Sequence, residues 1–271
     1  MRFGICGSMV ARQPDGSGVE IVEQVREIGY DYIELSLAHL AALTETDFSA
    51  LRLRMAGSGL VCEACNNFYP KAVRLTGSAV QWDLVCDYTH RAVSRAAELG
   101  AHVIVFGSSA AKNVPEGFPM VQAWQQITRV LNLTADEAGP HGITIAIEPL
   151  NRQESNILHT VAEGLAVARR VKRPEVQVLV DYYHMALEHE EPAILGQAGP
   201  ALCHVHFARV AGRTFPTGLD EGFQSFFDGL VGAGYDGRIS VEGFSTDFYA
   251  DAVQALAVLK RLASLARETQ R

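Results

Sequence analysis

Apolar positions along the chain alternate between two periods. Val19, Val22, Val25 and Ile28 recur at the helical spacing, and Gly29 stops the run. Short, largely apolar runs with β-branched residues lie between such segments, and these predict buried strands. Read in order, the strands are Arg2 to Ser8, Tyr32 to Ser36, Leu60 to Cys65, His102 to Phe106, Ile143 to Ile147, Val176 to Val180, Leu202 to Phe207 and Ile239 to Val241. The helices between them are Val19 to Ile28, one opened by Asp47 and closed at Gly57 or Gly59, Ala79 to Leu99, Phe118 to Ala138, Val161 to Val171, a short one over Pro192 to Gly196, Gly222 to Ala233, and Tyr249 to Thr269. Strand–helix alternation with short apolar strands predicts a parallel sheet covered on both faces. Eight such units in 271 residues predict an α/β fold of one domain, residues 1–271, closed as a (β/α)8 TIM barrel. An open doubly wound sheet would carry a glycine-rich phosphate turn after its first strand. Gly4 to Gly7 followed by Ser8-Met9 is not such a turn.

Composition narrows the picture. With 48% hydrophobic residues the chain can bury a large core, and a net charge of −8 argues against nucleic acid or an anionic membrane as partner. No apolar run approaches the length of a membrane span or a signal peptide, so the expected location is the cytoplasm. The five cysteines are odd in number and scattered in apolar contexts, as expected of reduced thiols. Cys62 and Cys65 have CxxC spacing without the second pair of a zinc site, and read as buried strand thiols.

The chemistry gathers at the strand ends. Glu148 ends the fifth strand, Asp181 the sixth and Glu242 the eighth, and His206 lies near the end of the seventh. In a barrel of this type the C-terminal strand ends converge on one site. Three carboxylates and an imidazole there conflict electrostatically unless a cation joins them. Oxygen-rich ligands with a single nitrogen favour Mn2+ or Mg2+, with Co2+ as a further fit. Such a set can acidify a proton beside a carbonyl, with one Glu taking it and the other returning it. Return to the opposite face of the same carbon is epimerisation; return to the neighbouring carbon is aldose–ketose isomerisation.

Glu148-Pro149-Leu150-Asn151-Arg152-Gln153-Glu154, Asp181-Tyr182-Tyr183-His184-Met185, His204-Val205-His206 and Ser240-Val241-Glu242-Gly243-Phe244 resemble the sugar phosphate isomerase/epimerase superfamily, with its xylose isomerase-like TIM barrel. The branch most similar is the D-tagatose and D-psicose type of ketose 3-epimerases, with hydroxypyruvate and keto-inositol isomerases nearby. The resemblance implies a sugar or keto-sugar substrate, a homodimer or homotetramer, and Glu148, Asp181, His206 and Glu242 as metal ligands. It also implies Glu148 and Glu242 as the acid/base pair acting through a metal-stabilised enediolate, with Glu154 and His184 holding the substrate. The family places an Arg six residues beyond the ligand His; here that position is Gly212, so Arg213 is the substrate-binding candidate and Arg209 the alternative. Lyases and dehydratases of keto sugars use the same site. An endonuclease IV-like phosphodiesterase shares the barrel but needs extra His ligands and a basic face.

Further positions carry open readings. Glu34, at the tip of the second strand, faces the mouth or pairs with an Arg. Lys112 and Arg152 read as solvated charges rather than a phosphate site, which favours an unphosphorylated substrate. Phe68, Tyr69, Trp82 and Phe244 are pocket-wall candidates that read first as packing residues.

Overall fold

The computed structural model describes residues 1–270. Eight parallel strands close in sequence order into a barrel: β1 (Arg2–Cys6), β2 (Tyr32–Ser36), β3 (Val61–Asn66), β4 (Val103–Phe106), β5 (Thr144–Ile147), β6 (Val176–Asp181), β7 (Leu202–Phe207) and β8 (Arg238–Val241). The helices are α1 (Val22–Ile28), α2 (Leu37–Ala42), α3 (Glu45–Ser58), α4 (Trp82–Glu98), α5 (Ser109–Lys112), α6 (Met120–Ala138), α7 (Val161–Val171), α8 (Tyr182–Leu187), α9 (Ile194–Ala198), α10 (Phe223–Gly232) and α11 (Phe248–Thr269). The (β/α)8 expectation therefore holds. None of the described helices is long and apolar enough to cross a membrane.

The main core lies between strands and helices. On α4 the buried positions Val85, Tyr88, Thr89, Ala92, Val93 and Ala96 form one stripe facing the barrel. A smaller apolar layer of Tyr32, Ala64, Val103, Val105, Ala146 and Leu179 fills the barrel interior. Below it, Glu63 takes hydrogen bonds from Arg2 and Arg238 and plugs the N-terminal end.

Several expected boundaries shift for local reasons. β1 stops at Cys6, because Gly7–Met9 turn as a 3-10 segment. The helix expected from Asp47 starts at Glu45, because the Thr44 hydroxyl accepts the Asp47 N–H at 3.1 Å and caps it. The short helices α2 and α8 follow their strands without a connecting loop and were not anticipated as elements. The CxxC cysteines are buried on β3 with their sulfurs 3.9 Å apart, as free thiols.

Candidate active site

The backbone ladder places the strand-end side chains before any side-chain interaction forms. Asp181 pairs with His206, and His206 with Ser240, across β6, β7 and β8. Glu148 and Glu242 each continue a strand by one residue, donating their N–H groups to Phe106 O and Phe207 O, both at 3.2 Å. Since alternate strand residues face opposite sides, Ser240 and Glu242 share the inward face with His204 and His206. One ligand atom from each of Glu148, Asp181, His206 and Glu242 lies within 4.8 Å of all the others. All four residues are buried.

Their electrostatics are those of an anion-rich pocket held by two cations. His206 Nδ1 sits 3.0 Å from Glu148 Oε1 and 3.1 Å from Glu242 Oε2. Arg213 Nη2 donates to Glu242 Oε2 at 2.5 Å and to Asp181 Oδ2 at 3.3 Å. Burial raises Asp181 to about 7, partly opposed by Arg213. Burial also raises Glu148, against the pull of His206. For Glu242 burial acts upward too, but His206 and Arg213 outweigh it and hold the carboxyl at about 2. Burial opposes the charge on His206, yet the carboxylates of Glu242 and Glu34 keep it protonated well above its ordinary range. Hard oxygen donors around one imidazole nitrogen fit a divalent cation of the Mn2+ or Mg2+ type.

A buried network sets the orientation of His206. Its Nε2 donates to Glu34 Oε1 at 3.0 Å, which leaves Nδ1 facing the carboxylates. Glu34 Oε2 also accepts from His204 Nε2 at 2.8 Å and from Ser240 Oγ at 2.5 Å. Glu34 thus neither faces the mouth nor pairs with an Arg, as the two sequence readings had it; it serves two histidines inside the barrel. Glu242 is held from the other side by Asn66 Nδ2 at 3.0 Å. Gly107 packs against Glu148, where an added Cβ would stand 1.9 Å from Oε2.

The other predicted residues rim the same cluster. Asn151 donates to His184 Nδ1 through its backbone N–H at 3.3 Å and through Nδ2 at 2.8 Å. With Nδ1 thereby an acceptor, His184 Nε2 carries the proton; it is buried without a hydrogen-bond partner. Burial, with help from Arg213, lowers His184 to about 3, so this imidazole is neutral. Glu154 Oε1 accepts from Asn151 Nδ2 at 3.1 Å and from Arg213 Nη1 at 3.5 Å. Arg213 is delivered by an unusual turn, with φ 71° at Gly212 and 49° at Arg213, and its guanidinium lies 4.7 Å over the Tyr183 ring. Arg209 points elsewhere, paired with Asp220 at 2.8 Å through two nitrogens.

Lys112 corrects an expectation: it is buried, not solvated, and its Nζ donates to the Glu148 carbonyl O at 3.1 Å. Burial lowers its pKa to about 8. Arg152 pairs with Glu188. Phe68 and Tyr69 lie in the core, with the Tyr69 hydroxyl committed to Thr89 at 2.7 Å and Thr134 at 3.2 Å. Trp82 packs under Arg129, whereas Phe244 is exposed beyond Glu242. Sequence reasoning missed Glu34 as a partner of His206 and Asn66 as a partner of Glu242; it noted His204, Asn151 and Gly107 within family-like stretches without giving them a role. A period-2 signal was available for two of them, since a charged Glu34 and the His204–His206 pair interrupt otherwise apolar strands.

Comparison with known proteins converges on one family. The profile of the xylose isomerase-like TIM barrel matches residues 22–264. A ketose 3-epimerase of Arthrobacter globiformis is 28% identical over 270 residues, 97% of this chain and 90% of that protein. A D-psicose 3-epimerase of Agrobacterium fabrum is 29% identical over 217 residues, 76% and 72% of the two chains. A D-allulose 3-epimerase from a Methylomonas species, solved in complex with D-allulose, superposes with a TM-score of 0.85 at 23% identity, covering 96% of each chain. At that identity the likeness shows the fold.

Proposed function

The chain belongs to the xylose isomerase-like TIM barrel family, and from that premise we propose that it is a divalent-metal-dependent sugar epimerase of the ketose 3-epimerase type. One observation carries the reading. Two carboxylates from non-adjacent strand ends, Glu148 after β5 and Glu242 after β8, meet the same nitrogen of His206 at 3.0 and 3.1 Å. The names of the relatives support the substrate class, a ketose.

Glu148, Asp181, His206 and Glu242 would hold the ion, Mn2+ in this reading, with Mg2+ or Co2+ as substitutes. The bound ion supplies Lewis acidity to the substrate's carbonyl and adjacent hydroxyl oxygens. The neutral His184 donates through Nε2 to a substrate oxygen, and its orientation is fixed by Asn151. Arg213 and Glu154 clamp the same end of the sugar. One of Glu148 and Glu242 removes the proton from the carbon beside the carbonyl, giving an enediolate. The other, protonated from solvent between turnovers, delivers that proton to the opposite face of that carbon, and the first gives its proton back to solvent. Asn66 keeps Glu242 aimed inward, and Gly107 leaves Glu148 the room to move its carboxylate.

Glu148→Gln and Glu242→Gln test this directly. Each should lower kcat by at least about a hundred- to ten-thousandfold, while substrate still binds the metal-loaded protein. Full activity in either variant contradicts the acid/base assignment.

A further inference from the structure

The ring of strand ends has two unlike halves. The β5–β7 side carries charged groups and an imidazole: Arg213 joins Glu154 and Asp181, and His184 Nδ1 accepts from Asn151. The β2–β3 side carries neutral oxygens with no hydrogen-bond partner in the chain. Ser36, the last residue of β2, is paired in register with Asn66, the last of β3. Tyr32 and Glu34 face the barrel interior, so Ser36 faces it too, one layer nearer the mouth. Both residues are buried, at 0% and 2% exposure. Ser36 Oγ and Asn66 Oδ1 have no hydrogen-bond partner.

Neither free atom has a local explanation. Ser36 stands at the N-cap of α2, where a serine hydroxyl ordinarily accepts a backbone N–H, yet it makes no such bond. The Asn66 amide is oriented by its other end. Its nitrogen donates to Glu242 Oε1 at 3.0 Å, and a carboxylate accepts only from N–H, so the oxygen must point away. Buried polar atoms are rarely left unpaired unless something else completes them. Here the Asn66 amide adjoins a carboxylate that the proposed reaction uses, and Ser36 is its register partner.

We propose that Ser36 and Asn66 form a subsite for a hydroxyl group on the part of the sugar beyond the reacting carbons. This rests on the epimerase reading above. Asn66 Oδ1 accepts the substrate O–H, and Ser36 Oγ donates to or accepts from the same hydroxyl or its neighbour. One amide then links the substrate chain to Glu242, so a correctly seated hydroxyl also steadies that carboxylate. The subsite selects charge as well. An acceptor oxygen beside the Glu242 carboxylate does not attract a phosphate, and the neighbouring cations are committed, Arg213 to Glu242 and Asp181, Lys112 to the Glu148 carbonyl and Arg152 to Glu188.

The test compares substrates rather than rates alone. The Mn2+-loaded enzyme is assayed on the ketohexose it epimerises fastest, on the 4-, 5- and 6-deoxy analogues of that sugar, and on its 6-phosphate. Wild type should prefer the parent over at least one deoxy analogue by at least about tenfold in kcat/KM, because a site built to bond a hydroxyl rejects the analogue lacking it. It should reject the phosphate. Ser36→Ala should collapse the parent-to-deoxy ratio, and Ser36→Thr, which keeps the hydroxyl, should largely restore it. Asn66→Ser provides a second variant should Ser36→Ala misfold, with the same narrowing expected. A loss of packing alone would slow parent and analogue equally. Unchanged ratios in the folded variants, or a wild type indifferent to every deoxy analogue, overturn the subsite. No turnover of any ketose by wild type overturns the epimerase reading and the subsite with it.

Discussion

At the scale of single residues, the arrangement depends on which nitrogen of His206 faces the carboxylates. Glu34 decides this by accepting a hydrogen bond from His206 Nε2 at 3.0 Å, and it is itself fixed by His204 and Ser240. A carboxylate behind a ligating histidine fixes its tautomer and raises its basicity. Glu34→Gln should therefore weaken Mn2+ binding by about ten- to a hundredfold, read by titration of the folded protein; unchanged affinity would show that the ring is oriented by packing alone. Gly107 is a second such point. A Cβ there would stand 1.9 Å from Glu148 Oε2. Gly107→Ala should displace that carboxylate and lower kcat on the order of a hundredfold, while thermal stability changes little. Wild-type kinetics in this variant would mean that Glu148 has more freedom than its contacts imply.

At the scale of elements, the barrel was legible because its strands are short, apolar and regularly alternated with helices. Glu148, Asp181, His206 and Glu242 were legible for the same reason: each sits at the end of such a run, and strand order alone brings the ends together. What failed to show was set by contacts far apart in sequence. Glu34 and His206 are separated by 172 positions, and no local pattern distinguishes a mouth-facing Glu from one bonded inside the barrel. Helices α2 and α8 are only six residues each, too short for a period to declare itself. Lys112 looked solvated beside polar neighbours, but α5 turns it under Glu148. Arg213 depended on a left-handed step at Gly212 and Arg213 that spacing cannot foresee.

At the scale of the whole molecule, a rigid ring of parallel strands concentrates acids at one end. Without a cation, burial holds Asp181 near a pKa of about 7, and neighbouring carboxylates keep His206 protonated. An ion must displace those protons, because ligands bind deprotonated. The sign follows: below about pH 7 protons compete with the ion, so Mn2+ affinity should fall as pH drops through that value and rise above it. Calorimetry in buffers of different ionisation enthalpy should register release of roughly one or more protons per ion bound near pH 6; binding without proton release would contradict the charge assignment. The central claim, that two glutamates move a proton across one carbon of a ketose, is tested most directly by incubating the Mn2+-loaded enzyme with ketoses in D2O and following them by NMR. The account predicts the C3 epimer, with deuterium at C3. An aldose product with deuterium at C1 or C2, or an epimer that carries no deuterium, would contradict it.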